Sequence, residues 1–244
     1  MDEFKDKYIG FIEKFVNFFG QKELLNYIEI ARNPIDKIKT LNTCVSMAIT
    51  LFILTFIFEV IPGIIALAVS YGSNYLTTQY VPTILEIGLI GGLVLLSGVL
   101  MILVLGIYSL IEFLFAKLLG GIGDLKGHVR TTFGSYLTAY VLSMPLLIIS
   151  AILSIMQVIP LLNIIICLLF LPIFVVGIIE LIIGFYGVYI KWVMIKELHK
   201  LDTLKAILVL ISPHIILLIL GLIVIAIVLA LGISAASLGI AGLN

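Results

Sequence analysis

The sequence predicts an all-α polytopic membrane protein, a five-transmembrane-helix bundle with a cytoplasmic amphipathic N-terminal helix. Composition is the first observation behind this. Of 244 residues, 62% are hydrophobic and 11% charged, against about 45–50% and about 25% in soluble domains. The second is that apolar runs longer than about 18 residues recur, each able to cross a hydrocarbon core of roughly 30 Å as a helix. No period-two alternation suggests a barrel, so the backbone in those runs must satisfy itself as helix. The third is that all 14 basic residues fall in alternate gaps between the runs.

Residues 1–42 read as a cytoplasmic amphipathic helical segment, and residues 43–244 as the five-span membrane domain. The N-terminus has neither the basic start nor the short apolar core of a signal peptide, so no cleavage is expected. Phe4, Tyr8, Phe11, Ile12, Phe15, Phe18 and Phe19 recur at helical spacing, opposite Lys5, Lys7, Glu13 and Lys14. Such a face serves equally for lying in the cytoplasmic leaflet or for packing across the bundle ends. Asn33-Pro34-Ile35-Asp36 then has the cap, first-turn proline and early acid of a helix start.

The spans run from about Thr43 to Val69, Ile87 to Leu119, Phe133 to Ile159, Leu161 to Val193 and Leu204 to Leu231. Pro62, Pro145, Pro172 and Pro213 fall inside or near the ends of these runs and predict kinks, because neighbouring helices can re-satisfy the freed carbonyls. Seven basic residues, from Lys5 to Lys39, precede span one. Lys117, Lys126 and Arg130 lie between spans two and three, and Lys191, Lys196, Lys200 and Lys205 between spans four and five. The positive-inside bias therefore puts the N-terminus and both basic loops in the cytoplasm and the C-terminus outside or in a lumen.

Leu118 to Thr132 carries four glycines beside Lys126, His128 and Arg130. It contains no Gly-Lys pair and so no Walker A loop, and Gly121-Ile-Gly123 misses the dinucleotide spacing by one residue. What it fits is a helix stop at Gly120-Gly121, where glycine adopts the left-handed cap, followed by a short basic loop.

Span two ends in Ala116-Lys-Leu-Leu-Gly-Gly-Ile-Gly-Asp124, followed by Thr131-Thr-Phe133 and the aromatic-then-proline run from Tyr140 to Pro145. These stretches resemble the core of the Yip1 domain family. Asn33-Pro34 and Leu198-His-Lys-Leu-Asp-Thr-Leu-Lys-Ala206 agree with it, so the resemblance extends over roughly Asn33 to Leu231. The compact form with a glycine pair after span two is similar to prokaryotic, particularly archaeal, members. The resemblance implies five spans, a cytoplasmic N-terminus, and a role in membrane traffic or organisation through protein contacts. This chain lacks the acidic, aromatic stretch that eukaryotic relatives carry ahead of span one, which leaves small-GTPase binding in doubt.

Ionisable residues inside spans are costly and are functional candidates by default. Glu180 lies eleven residues before Lys191 and His214 nine after Lys205, which is about 16 and 14 Å along a helix. The two are expected to be able to meet between spans four and five, either as a structural pair or as part of a proton or ion path. Glu112, five residues before Lys117, is expected to snorkel towards the interface. Gly88, Gly92, Gly98, Gly106, Gly177 and Gly184 offer smooth surfaces for close helix contact, within the chain or in a homo-oligomer.

No HExxH, GxSxG or paired-cysteine metal spacing occurs, so no enzyme chemistry and no cofactor is expected. His128 with Asp124 and His199 with Glu197 admit a joint metal site between the loops. Nucleic-acid binding has no support, because the basic residues are matched by acids or placed at headgroup level.

The leading expectation is a membrane scaffold or adaptor whose partners are the lipid bilayer and proteins met at the cytoplasmic face. That face would comprise Gly120, Gly121, Asp124, Lys126, Arg130, Lys196, His199 and Lys200, with the N-terminal helix as a wedge in the leaflet. The alternative is a small-solute or ion/proton transporter or channel using Glu180 and His214. A close-packed bundle argues for the first and a cavity lined by both residues for the second.

Overall fold

The computed structural model describes residues 2–18, 22–37, 43–65, 84–158 and 166–241. Phe19, most of the segment between spans one and two, and part of the turn between spans three and four lie outside the described residues, as does the side chain of Phe4.

The chain is an all-α polytopic bundle, with no strand among the described residues. Its elements are α1 (Asp2–Phe18), α2 (Lys22–Arg32), α3 (Pro34–Lys37), α4 (Cys44–Thr55), α5 (Ile84–Leu118), α6 (Leu125–Val158), α7 (Ile166–His199) and α8 (Thr203–Ala241). Five helices are long and apolar enough to cross a membrane: one begins with α4 and the others lie within α5, α6, α7 and α8.

Local chemistry sets the ends. Thr43 caps α4, its hydroxyl accepting from the Ser46 amide at 3.3 Å. α4 continues through a π-helical turn, Phe56–Val60, in which the Ile61 amide reaches back to the Phe56 carbonyl. Pro62 follows at once, and its missing N–H explains why the ordinary ladder widens there. Pro145, Pro172 and Pro213 sit inside α6, α7 and α8, which run on through them as expected.

α5 and α7 end in the same device. Gly121 N–H bonds to the Ala116 carbonyl at 2.8 Å and Gly120 N–H to that of Lys117 at 3.1 Å. Gly120 takes φ +91°, which makes this a Schellman cap. At the end of α7, Leu201 N–H bonds to the Lys196 carbonyl at 3.1 Å and Lys200 N–H to that of Glu197 at 3.4 Å. There the left-handed position is held by Lys200 (φ 52°). α8 starts at once, with Asp202 Oδ1 accepting from the Lys205 amide at 2.8 Å.

Both turns are therefore tighter than the hydropathy pattern suggests. α6 begins at Leu125 and not at Phe133, which places Lys126 and Arg130 on its first turns. Lys196 and His199 belong to α7, and Lys205 to α8.

The core sits where α6 meets its neighbours. α6 packs most extensively on α7, and α4, α5 and α2 also lie against it. Gly187 allows the closest approach of α6 and α7, since a Cβ there would lie 2.7 Å from that of Ala139. Gly98 meets the Phe52 ring at 3.4 Å, whereas Gly92, Gly106, Gly177 and Gly184 face open space.

Of the two roles open to α1, packing on the bundle is the one observed. Ile9, Ile12 and Val16 are buried in the same core as Phe133, Leu137 and Val141 of α6. Tyr8 donates to the Leu142 carbonyl at 2.7 Å, and Tyr186 of α7 donates to the Ala31 carbonyl. Part of the apolar face expected to meet lipid is thus occupied by protein, while Phe11 and Phe18 of that face remain exposed.

α6 has 34 residues, about 51 Å of helix against a hydrocarbon core of roughly 30 Å. The α1–α2 hairpin carries ion pairs, Glu13 with Arg32 and Glu29 with Lys37, which belong at a polar interface. The hairpin reaches as far along the long helices as Leu142 and Tyr186.

Candidate functional site

Beneath the two turns lies a buried polar network. Glu112 of α5 is 1% exposed, and its Oε1 accepts from Lys191 Nζ of α7 at 2.6 Å. Its Oε2 lies 3.4 Å from both His128 Nε2 and Thr132 Oγ1 of α6. His128 Nδ1 lies 2.9 Å from His199 Nε2 at the end of α7. One chain of contacts thus runs Lys191, Glu112, His128, His199 across three helices. The expectation that Glu112 snorkels outward is corrected: its carboxylate turns inward to a lysine 79 residues away in sequence.

Hydrogen-bond bookkeeping assigns the tautomers. A carboxylate only accepts, so His128 Nε2 carries the proton and, in the neutral ring, His128 Nδ1 accepts from His199 Nε2. His199 Nδ1 is then a bare acceptor, and it is buried without a hydrogen-bond partner. It rests against the glycine turn. A Cβ on Gly121 would lie 2.8 Å from that nitrogen, and one on Gly123 2.9 Å from it. The same turn is tied by the Ile122 amide, which donates to the His199 carbonyl at 3.2 Å. Gly120 is needed for its backbone angle, whereas Gly121 and Gly123 are needed for the room they leave the imidazole. Phe113 lies 6.1 Å from each histidine ring, and Lys117 sits over the Phe113 face.

His128 and His199 were candidates for a joint metal site through Asp124 and Glu197. They contact each other directly, and among the described residues no three metal-ligating side chains converge. Glu197 pairs instead with Lys200.

The predicted interaction face is partly internal. His199 is fully buried, so it supports the face and is not part of its surface. Gly121 is buried too, and Arg130 is half-buried with Nε unpartnered. Asp124, Lys126 and Lys200 are exposed, and Lys196 bonds to Thr203 Oγ1 at 3.0 Å. Leu118 (79% exposed), Ile122 (71%) and Leu204 (67%) add an apolar component that the charge pattern had not shown. In the N-terminal helix, Tyr8 and Phe15 are half-buried against the core, and Phe11 and Phe18 are displayed.

Glu180 and His214 share a cavity, not a bond. Glu180 Oε1 accepts from Ser150 Oγ at 3.2 Å, and the His214 ring stands edge-on to Tyr108 at 5.5 Å. The cavity, about 700 Å³, opens between α5, α6, α7 and α8. The Glu112 and Lys191 pair also lines it, as do Tyr136, Tyr140 and Gly184.

Glu112 was visible in the sequence as an acid within an apolar run, but its partners were not. His128 and Thr132 are four residues apart and share a face only once α6 is known to start at Leu125.

Among protein-family models, that of the Yip1 domain matches residues 33–225. The match includes every member of the network and the whole cavity lining, while α1 and α2 precede it. No curated protein and no solved structure matches the chain.

Proposed function

Because this chain belongs to the Yip1 domain family of membrane proteins, we propose that it is an integral membrane scaffold that recruits protein partners to one rigid, basic face at the cytoplasmic end of its bundle. The family is associated with membrane trafficking and is not known as enzymatic, which suits an adaptor better than a catalyst. One observation carries the reading: the Ile122 amide and the His128 and His199 rings join the two turns into a single body. A partner meets a preorganised surface, where less is lost on ordering loops. Lys117, Lys126, Lys200 and Lys205 are exposed at the same helix ends and turns as the exposed Leu118, Ile122 and Leu204. An apolar centre with a charged rim is the usual anatomy of a protein interface. The distribution of basic residues supports a cytoplasmic placement of this face.

The test is photocrosslinking in native membranes from probes at Ile122 and Leu204, compared with a probe at Leu217 on the apolar flank of α8. Discrete protein adducts from the first two positions, weakened by His199→Ala, support the adaptor. Lipid adducts alone at all three positions contradict it.

The cavity favours a second reading, a small-solute or ion/proton transporter, since it is lined by both Glu180 and His214. Flux into proteoliposomes that disappears in Glu180→Gln would replace the adaptor by a carrier.

A further inference from the structure

The cavity between α5 and α8 combines three properties. Its walls are mostly hydrocarbon, including Met101, Leu105, Leu147 and Leu210. Its volume of about 700 Å³ lies within the roughly 300–1,000 Å³ range of small-molecule pockets. Several lining residues, among them Val104, Tyr136 and Val188, are exposed, so the space is open and not sealed, and the helices around it are apolar enough to cross a membrane.

The formal charges in this space do not cancel. Lys191 is held by Glu112 at 2.6 Å, so that pair is neutral as a unit. Glu180 is left over. It is half-buried and lies six residues before Tyr186 in α7, about 9 Å along the helix from the level that the α1–α2 hairpin reaches, within a stretch apolar enough to cross a membrane. Among the described residues its only hydrogen bond is from Ser150, and no cation pairs with it. A carboxylate in such a place is expensive without a counter-charge. The aromatic residues Tyr108, Tyr136 and Tyr140 line the same space, and ring faces attract cations.

We infer that this cavity binds a membrane-soluble organic cation, an amine or onium group on an apolar body, with Glu180 as its counter-ion. An anionic ligand would have to displace Glu112 from Lys191. A bare inorganic cation would leave the hydrocarbon walls unused and would lack the oxygen shell it requires. The inference is independent of the adaptor reading, since it concerns a different surface, and it requires no transport.

Tetraphenylphosphonium and tetraphenylborate, two apolar tetrahedra of similar size and opposite charge, are suitable probes. Their equilibrium binding would be measured on the purified full-length protein in detergent. The expected result is saturable binding of the phosphonium at a single site and none of the borate. Glu180→Gln, which keeps an acceptor for Ser150, should weaken phosphonium binding by about tenfold or more. Gly184→Leu should abolish it, because Gly184 lines the cavity and a side chain there meets nothing within 4 Å. Absence of saturable phosphonium binding overturns the inference, as do equal binding of the borate and undiminished binding in both folded variants. If Glu180→Gln does not fold, the comparison of probe charge with Gly184→Leu decides alone.

Discussion

His199 Nε2 lies 2.9 Å from His128 Nδ1, and this contact joins the end of α7 to the start of α6 at a point where both rings are fully buried. The glycine turn after α5 closes over the pair, so that sequence-distant turns share one support. The account of the basic face rests on this relationship.

Gly123→Ala should destabilise the protein by about 1–3 kcal/mol, the usual range for overpacking a filled site. The new Cβ would fall 2.9 Å from the His199 ring and from the Leu198 side chain. In a His199→Ala background the same substitution should cost markedly less. Thermal unfolding of the two single variants and the double variant gives the coupling, and strict additivity would show that the ring is not the obstacle.

Lys191→Met should cost about 3–5 kcal/mol, because it leaves the Glu112 carboxylate buried without its cation. Adding Glu112→Gln should recover part of that loss, since the penalty lies in the orphaned charge and not in the missing pair. Denaturation in detergent of both variants provides the comparison.

Lys200→Gly should stabilise the chain by about 1 kcal/mol, as the position takes φ 52° and a left-handed backbone is costly for residues with a Cβ. The gain should show as a higher midpoint of thermal unfolding. A loss would mean that the exposed ion pair with Glu197 is worth more than the strain, against the usual weakness of such pairs.

Burial pushes the Tyr8 phenol up from 10.0 to about 12. The folded state therefore holds this proton more tightly than the unfolded state does. The stability it contributes is complete below pH about 10 and is lost as pH rises towards about 12. Tyr8→Phe should lower stability by about 1 kcal/mol at neutral pH through the lost bond to Leu142, and should flatten the alkaline decline. Thermal unfolding across that pH window checks both.

The sequence made the spans legible because hydropathy reports long apolar helices directly, and because basic residues fall at one end of each hairpin. The Gly120 cap was legible for a similarly local reason. The start of α6 was not. Leu125-Lys-Gly-His-Val-Arg130 is polar and contains glycine, so its intrinsic preference points to a loop, and only contact with α5 and α7 makes it helix. Glu112 was misread for the same reason. Its neighbour in sequence is Lys117, but Lys117 sits over Phe113 while Lys191 arrives from another helix. Glu180 and His214 stood out in the sequence as ionisable groups within apolar runs. That they line one cavity without bonding depends on side-chain direction, which spacing along two separate helices cannot specify.

If His199 fuses the two turns into one rigid face, its removal must loosen them both. Amide hydrogen exchange across residues 119–124, compared between the intact protein and His199→Ala, reads this out. Slow exchange is expected in the parent and at least about tenfold faster exchange in the variant, with the apolar stretch of α8 unchanged. Equal exchange in the two proteins would contradict it, because the turns would then hold their shape without the histidine between them.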